Sequence, residues 1–340
     1  MKPKTFTLKN KNGMTLKASE FGCTVVELTA PDRDGRFENI VLSYDDIGDY
    51  RKNGYANSII GRVAGRISDS SFVLDGKRYK LSNNDGAHSL HGGKEGFESK
   101  LWATRQFASP DGPALEFTYL SPDGEEGYPG NLFVRCVYTL TEWNAWRIQY
   151  WAMTDAPTVI NLTNHAYFNL AAGKRDVLDH RLFVGAELFP PTNKALIPTG
   201  EIIPVEDTPL DFRAHGGKRL GDVIGKVKSP YLFLGGFDNS YVFNDDAATD
   251  IAPCAVLHDP ESGRTMYCTT TEPSIQLYTA NNMTAGIKGA KGAVYGKHYG
   301  VCFETQHIPD SPNQAGFKSV RLNPGDVFKS ETTYTFSSEG

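Results

Sequence analysis

The chain has 340 residues, with 35 Lys and Arg against 40 Asp and Glu and a formal net charge of −5. No Lys/Arg-rich tract stands out, which argues against nucleic acid or an anionic membrane surface as a partner. The opening MKPKTFTLKN lacks the apolar core of a secretory signal, and no segment approaches the roughly 18–20 apolar residues of a membrane helix.

The five cysteines, Cys23, Cys136, Cys254, Cys268 and Cys302, are odd in number and scattered, with no C-x-x-C pair. That disfavours a disulfide framework or structural zinc and fits free thiols in a reducing compartment. The expectation is a soluble cytoplasmic protein. The sequence leaves its oligomeric state, monomer or homodimer, unknown.

The first ninety residues read as short strands and turns. Asn12-Gly13 separates Thr5–Lys9 from Met14–Ala18, and Asp75-Gly76 separates Ser71–Leu74 from Lys77–Leu81, each a hairpin signal. Between them Cys23–Thr29 and Asn39–Tyr44 are strand-like, and a helical turn is expected around Asp45–Arg51. The glycines of Asn57–Ile67 (NSIIGRVAGRI) exclude a long helix there.

The middle of the chain alternates with period two. Leu115, Phe117 and Tyr119 share one parity, as do Leu132, Val134, Cys136, Tyr138 and Leu140, and then Trp146, Ile148 and Tyr150. Three such segments in succession predict an antiparallel sheet with one buried face. Further short strands are expected at Arg181–Val184, Tyr241–Phe243, Cys254–His258, Thr265–Thr269 and Ser274–Thr279. No amphipathic helix longer than about three turns is evident, which disfavours βαβ units. The fold class is therefore all-β, a large antiparallel two-sheet sandwich with few short helices, read as a single domain over 1–340.

Two loops have unusual composition. His88–Gly96 (HSLHGGKEG) holds two histidines but no evident third ligand, so no metal is expected. Ala285–Gly300 (AGIKGAKGAVYGKHYG) is glycine-rich without a phosphate-binding spacing and reads as a mobile loop bordering a site.

Candidate chemistry centres on Val159–Leu170 (VINLTNHAYFNL). Its β-branched and aromatic residues place His165 at or near a strand end. An imidazole exchanges protons near neutral pH, and a partner carboxylate is available downstream in Cys302–His307 (CFETQH). One histidine among aromatics is, taken alone, more often a hydrogen-bonded core residue than a catalytic one.

The wider set of motifs is more specific. IGRVAGRI at 60–67, LHGG at 90–93, GYPG at 127–130, NLTNHAYFNL at 161–170, GFDN at 236–239, SIQLYTAN at 274–281 and FETQ at 303–306 occur in one order. Together they resemble the aldose 1-epimerase (galactose mutarotase) family from about residue 10 to the C-terminus. The resemblance implies the galactose mutarotase-like β-supersandwich and interconversion of α and β anomers of free aldohexoses, with no metal or organic cofactor. It puts the general base on Glu304 and the general acid on His165. Sugar-holding roles fall on Arg66, His91, Asp238 and Gln276, with Tyr167 a further contact. Gly65 departs from the pattern, because many members carry Asn there.

Residue chemistry agrees with those roles. Mutarotation takes a proton from the anomeric hydroxyl and delivers one to the ring oxygen, and the reference pKa values of about 4.3 for Glu and 6.5 for His make ionised Glu with protonated His the expected pair. Arg66 offers a fixed fork of donors, while Asp238, Gln276 and neutral His91 suit hydroxyl groups. Tyr167, Phe97 and Phe237 are candidates to stack on the sugar. A sugar-phosphate epimerase would need an added cationic cluster. A glycosidase would need a second carboxylate such as Asp238 paired with Glu304, and a non-catalytic binding module would not need both Glu304 and His165.

Overall fold

The structure, a computed structural model, describes residues 3–53, 55–243 and 253–339. The period-two segments form Gly112–Ser121, Leu132–Leu140 and Ala145–Thr154, consecutive antiparallel neighbours as expected. They extend into a nine-stranded sheet through Phe328–Ser338, Arg264–Thr270, Ala255–His258, Arg181–Val184 and Lys218–Arg219, with Ala103–Ser109 on the opposite edge. A second sheet of five strands runs Ile203–Pro204, Leu188–Phe189, Asp238–Val242, Ser274–Tyr278 and Cys302–Gln306. Both predicted hairpins form, Thr5–Lys9 with Thr15–Ser19 and Ser71–Leu74 with Lys77–Lys80. Among the described residues the only α-helix is the six-residue Ile47–Lys52.

The two sheets share one core. Tyr138, Trp146, Ile148, Tyr334 and Phe336 of the large sheet pack in one buried cluster with Tyr241, Ile275, Leu277 and Phe303 of the small one. Alternation along Cys302–Gln306 fixes the direction of Glu304. Phe303 and Thr305 face this core, where the Phe303 carbonyl accepts from Tyr334 Oη at 2.7 Å and Thr305 Oγ1 lies 2.6 Å from Thr332 Oγ1. The intervening Glu304 is thereby turned to the opposite face of the small sheet.

His165 stands at a strand end as expected, just past Thr163–Asn164, with Thr158–Val159 a second short strand before it. The structure departs from the sequence reading in two places. Asn39–Tyr44 is a strand only up to Asn39, after which Val41 bridges Phe168. The glycine-rich loop folds into a small hairpin, Ile287–Lys288 with Val294–Tyr295.

Candidate active site

Register across the small sheet brings the distant motifs together. Ser240 pairs with Gln276 and Gln276 with Glu304, so three strands present a transverse row on one face. Asp238 and Tyr278 lie one step along on that face. With Arg66, His91, His165 and Tyr167 these residues line one cavity of about 380 Å³, within the usual range for small-molecule sites. The loops carrying Met283, Thr284 and Ile287 form part of its wall, so the glycine-rich segment does border the site.

Backbone clamps set each side chain. The His165 N–H donates to the Ser58 carbonyl at 2.9 Å, and the His165 carbonyl accepts from the Asn57 N–H at 3.0 Å. Asn161 fixes the segment after Glu304, its Oδ1 accepting from the His307 N–H and its Nδ2 donating to the His307 carbonyl. Arg66 and His91 enter on a short ladder in which Arg66 pairs with Leu90. Behind them Gly92, at φ +93, leaves room that a Cβ would destroy, because that atom would lie 1.9 Å from the Gly61 carbonyl oxygen. The glycines of LHGG are therefore packing residues.

The polar groups form a directed chain. Ser240 Oγ donates to Gln276 Oε1 at 2.5 Å, and Gln276 Nε2 donates to Asp238 Oδ1 at 2.7 Å. Arg66 Nη1 stands 4.0 Å from Asp238 Oδ2, and Arg66 Nε donates to Asp85 Oδ2 at 2.7 Å. Glu304 Oε1 faces His165 Nε2 at 3.5 Å, and both residues are buried. On the far side of the ring, His165 Nδ1 meets the Cys302 thiol at 3.4 Å.

His91 has a different partner. The Gly65 N–H donates to its Nδ1 at 3.2 Å. A backbone amide only donates, so the neutral ring must carry its proton on Nε2. His91, His165 and Glu304 gather polar atoms within 4.8 Å of one another, as a metal site would, but His91 then offers that group an N–H rather than a lone pair. The histidine pair at 88 and 91 does not make a metal site either, since His88 Nδ1 is engaged by the Asp69 N–H.

Burial opposes the expected ionisation. Desolvation first, then the Asp238 charge, pushes the Glu304 carboxyl well above its ordinary range, with Arg66 pulling back. Desolvation lowers His165 to about 4, against a smaller raising effect of its own backbone carbonyl. His91 falls well below its usual value through burial, His165 and Arg66. Burial therefore disfavours the combination of ionised Glu304 with protonated His165. Glu304 still holds its proton where His165 titrates, so it offers the imidazole no charge at that pH, despite the short distance.

Of the aromatic candidates, Tyr167 lines the cavity, with its ring 4.9 Å from His165. Phe97 and Phe237 do not, because they pack in the core against Trp102 and Phe212. Sequence reasoning missed Tyr55 and Tyr278, whose rings lie 4.6 Å from His91 and 5.9 Å from His165, and Asp85, the partner of Arg66. Gly65, at φ +76, sits against Pro309, and a Cβ there would come within 2.7 Å of the proline Cγ. The two arginines of IGRVAGRI divide the work. Buried Arg62 holds the GYPG loop through the Pro129 and Gly130 carbonyls, while Arg66 faces the cavity.

Known proteins are similar to this chain in sequence and fold. The aldose 1-epimerase family model matches residues 4–335. The chain is 41% identical to a galactose mutarotase of Sus scrofa over 321 residues, 93% of this chain and 89% of the relative. It is 34% identical to an aldose 1-epimerase of Haemophilus influenzae over 310 residues, 90% and 87% of the two chains. An aldose epimerase homologue from C. elegans superposes with a TM-score of 0.90 at 32% identity, covering 99% of this chain and 100% of the other. A galactose 1-epimerase from Lactobacillus acidophilus gives 0.85 at 27% identity, with full coverage of both. The fold they share is the galactose mutarotase-like one, and the chain belongs to the aldose 1-epimerase family.

Proposed function

We propose that the protein interconverts the α and β anomers of free aldohexoses such as galactose and glucose, with Glu304 as general base and His165 as general acid. The observation that carries this reading is the 3.5 Å approach of Glu304 Oε1 to His165 Nε2 on the floor of a cavity lined with hydroxyl-binding groups. The step starts from the form in which the pair's one proton sits on His165: Glu304 takes the proton from the anomeric hydroxyl as His165 gives its own to the ring oxygen. The ring opens to the aldehyde, the C1–C2 bond rotates, and the same transfers in reverse close it. The pair must hold one proton between its two members throughout.

Arg66, His91, Asp238 and Gln276 hold the sugar, with Tyr167 offering an aromatic face. Gln276 and Asp238 are oriented in advance by Ser240 and by each other, so little ordering is left for binding. The cations lining the cavity among the described residues already face carboxylates, Arg66 to Asp85 and Lys52 to Asp49, which speaks against a sugar phosphate. Asp238 is committed to Gln276 and Arg66, which speaks against a second hydrolytic carboxylate.

Polarimetry of freshly dissolved α-D-galactose and α-D-glucose tests the proposal. Wild-type protein should speed the approach to the usual endpoint. Glu304→Gln and His165→Asn should fold normally, and each should lose about 10²–10⁴-fold in rate. Full activity in both variants would remove the acid/base assignment.

A further inference from the structure

Most polar side chains on the cavity wall are committed to a neighbour, but Gln306 is not. It lies two residues beyond Glu304 on the same strand and so shares its face. It is 1% exposed, and neither Nε2 nor Oε1 has a hydrogen-bond partner among the described residues. Its cross-strand neighbour Ser274 does not help, because that hydroxyl donates to the Gln306 backbone carbonyl at 2.5 Å. Thr192, on a different segment of the same cavity wall, likewise has a buried Oγ1 without a partner among the described residues. That segment is built to hold its place. Thr192 bridges Pro198 across the turn, and Asn193 Oδ1 accepts from the Ala195 and Ile197 N–H groups.

A buried carboxamide with no hydrogen-bond partner from the protein is unfavourable. A sugar hydroxyl, which both donates and accepts, is the group that satisfies it. We infer that Gln306, and with it Thr192, is a further sugar-recognition residue that selects among aldoses by the presence and orientation of one hydroxyl. This rests on the mutarotase reading of the pocket. Neither residue moves a proton, so both act on binding. A site built around a substrate hydroxyl rejects the analogue lacking it, because its own polar groups are then left unpaired.

The test is Gln306→Leu, which removes the amide at similar volume, assayed by polarimetry on galactose, glucose and the 2-, 3-, 4- and 6-deoxy sugars. The expected result is a rise in KM for galactose of about tenfold or more, larger than the fall in kcat. At one deoxy position the discrimination shown by the wild type should disappear. The melting temperature should hold or rise, since an unpaired buried amide has been removed. An unchanged KM on every sugar, or a uniform loss across the deoxy series with a lower melting temperature, overturns the inference. Thr192→Val supplies the same test if Gln306→Leu fails to fold. If wild-type protein accelerates no aldose, the mutarotase reading fails and this inference with it. If the wild type is active and both variants match it on every sugar, only this inference fails.

Discussion

The resting protonation of the Glu304–His165 pair yields a prediction with a computable size. Lowering His165 from 6.5 to about 4 makes its protonation harder by about 3 kcal/mol, and leaves about one imidazolium in a thousand at pH 7. An ionised carboxylate at 3.5 Å would do the reverse. Coulomb's law with an effective dielectric of about 20 gives about 5 kcal/mol of attraction, or more than three pKa units. The two states of Glu304 are therefore far apart in what His165 would report. In a pH titration of the free enzyme followed by histidine side-chain NMR, His165 should titrate near pH 4. Glu304→Gln should leave that midpoint nearly unmoved, because a protonated carboxyl and a carboxamide are both neutral. A wild-type midpoint at or above 6.5 that drops by several units in Glu304→Gln would refute the reasoning, for it would mean that Glu304 is ionised where His165 titrates.

Three further outcomes are expected. Cys302→Ala, which removes the thiol facing His165 Nδ1, should cut kcat by about tenfold while Cys302→Ser largely restores it, as measured by polarimetry, since a hydroxyl can fill the same role. Gly92→Ala should destabilise by on the order of 3 kcal/mol in urea unfolding, because it sets a Cβ against the Gly61 carbonyl at a left-handed φ. Buried His180 accepts from the Leu170 N–H and is lowered by burial to about 4. The unfolded chain takes up that proton first as pH falls below 6.5, so stability is lost between about 6.5 and 4, by about 2 kcal/mol between pH 7 and 5. Urea unfolding at the two pH values should show a smaller loss in His180→Gln.

Sequence patterns picked out residues that line the cavity better than they picked out the strands that carry them. Glu304, His165, Asp238 and Gln276 sit in short motifs and could be named, but the register that aligns Ser240, Gln276 and Glu304 joins positions at least 28 residues apart and leaves no local trace. Among the described residues the longest strand, Phe328–Ser338, lacks a legible period because two of its inward residues are Ser330 and Thr332. Hydroxyl pairs make this tolerable inside, with Thr332 Oγ1 near both Thr305 and Thr270. Ala103–Ser109 is an edge strand exposed along most of its length, and so has no apolar face to announce it. Tyr55 adopts φ +59 in an aperiodic turn, and Arg62 and Arg66 look alike until one is found buried under carbonyls.

Two histidines share the pocket, and the group facing each Nδ1 decides which of them can shuttle a proton. On His91 that partner is the Gly65 N–H, which can only donate. The ring is held with its proton on Nε2, and a second proton on Nδ1 would point at the amide. His91 can offer a hydrogen bond to a hydroxyl but has no low-cost second protonation state, in keeping with the strong depression of its pKa. On His165 the partner is a thiol, which burial keeps protonated and which both donates and accepts weakly. That contact tolerates either form of the ring, leaving Nε2 free to hold or release a proton toward the Glu304 side of the cavity. The same fold thus builds one histidine as a fixed donor and the other as an exchangeable one. These contacts favour the proposed acid role on His165 over His91, quite apart from the motif in which it sits.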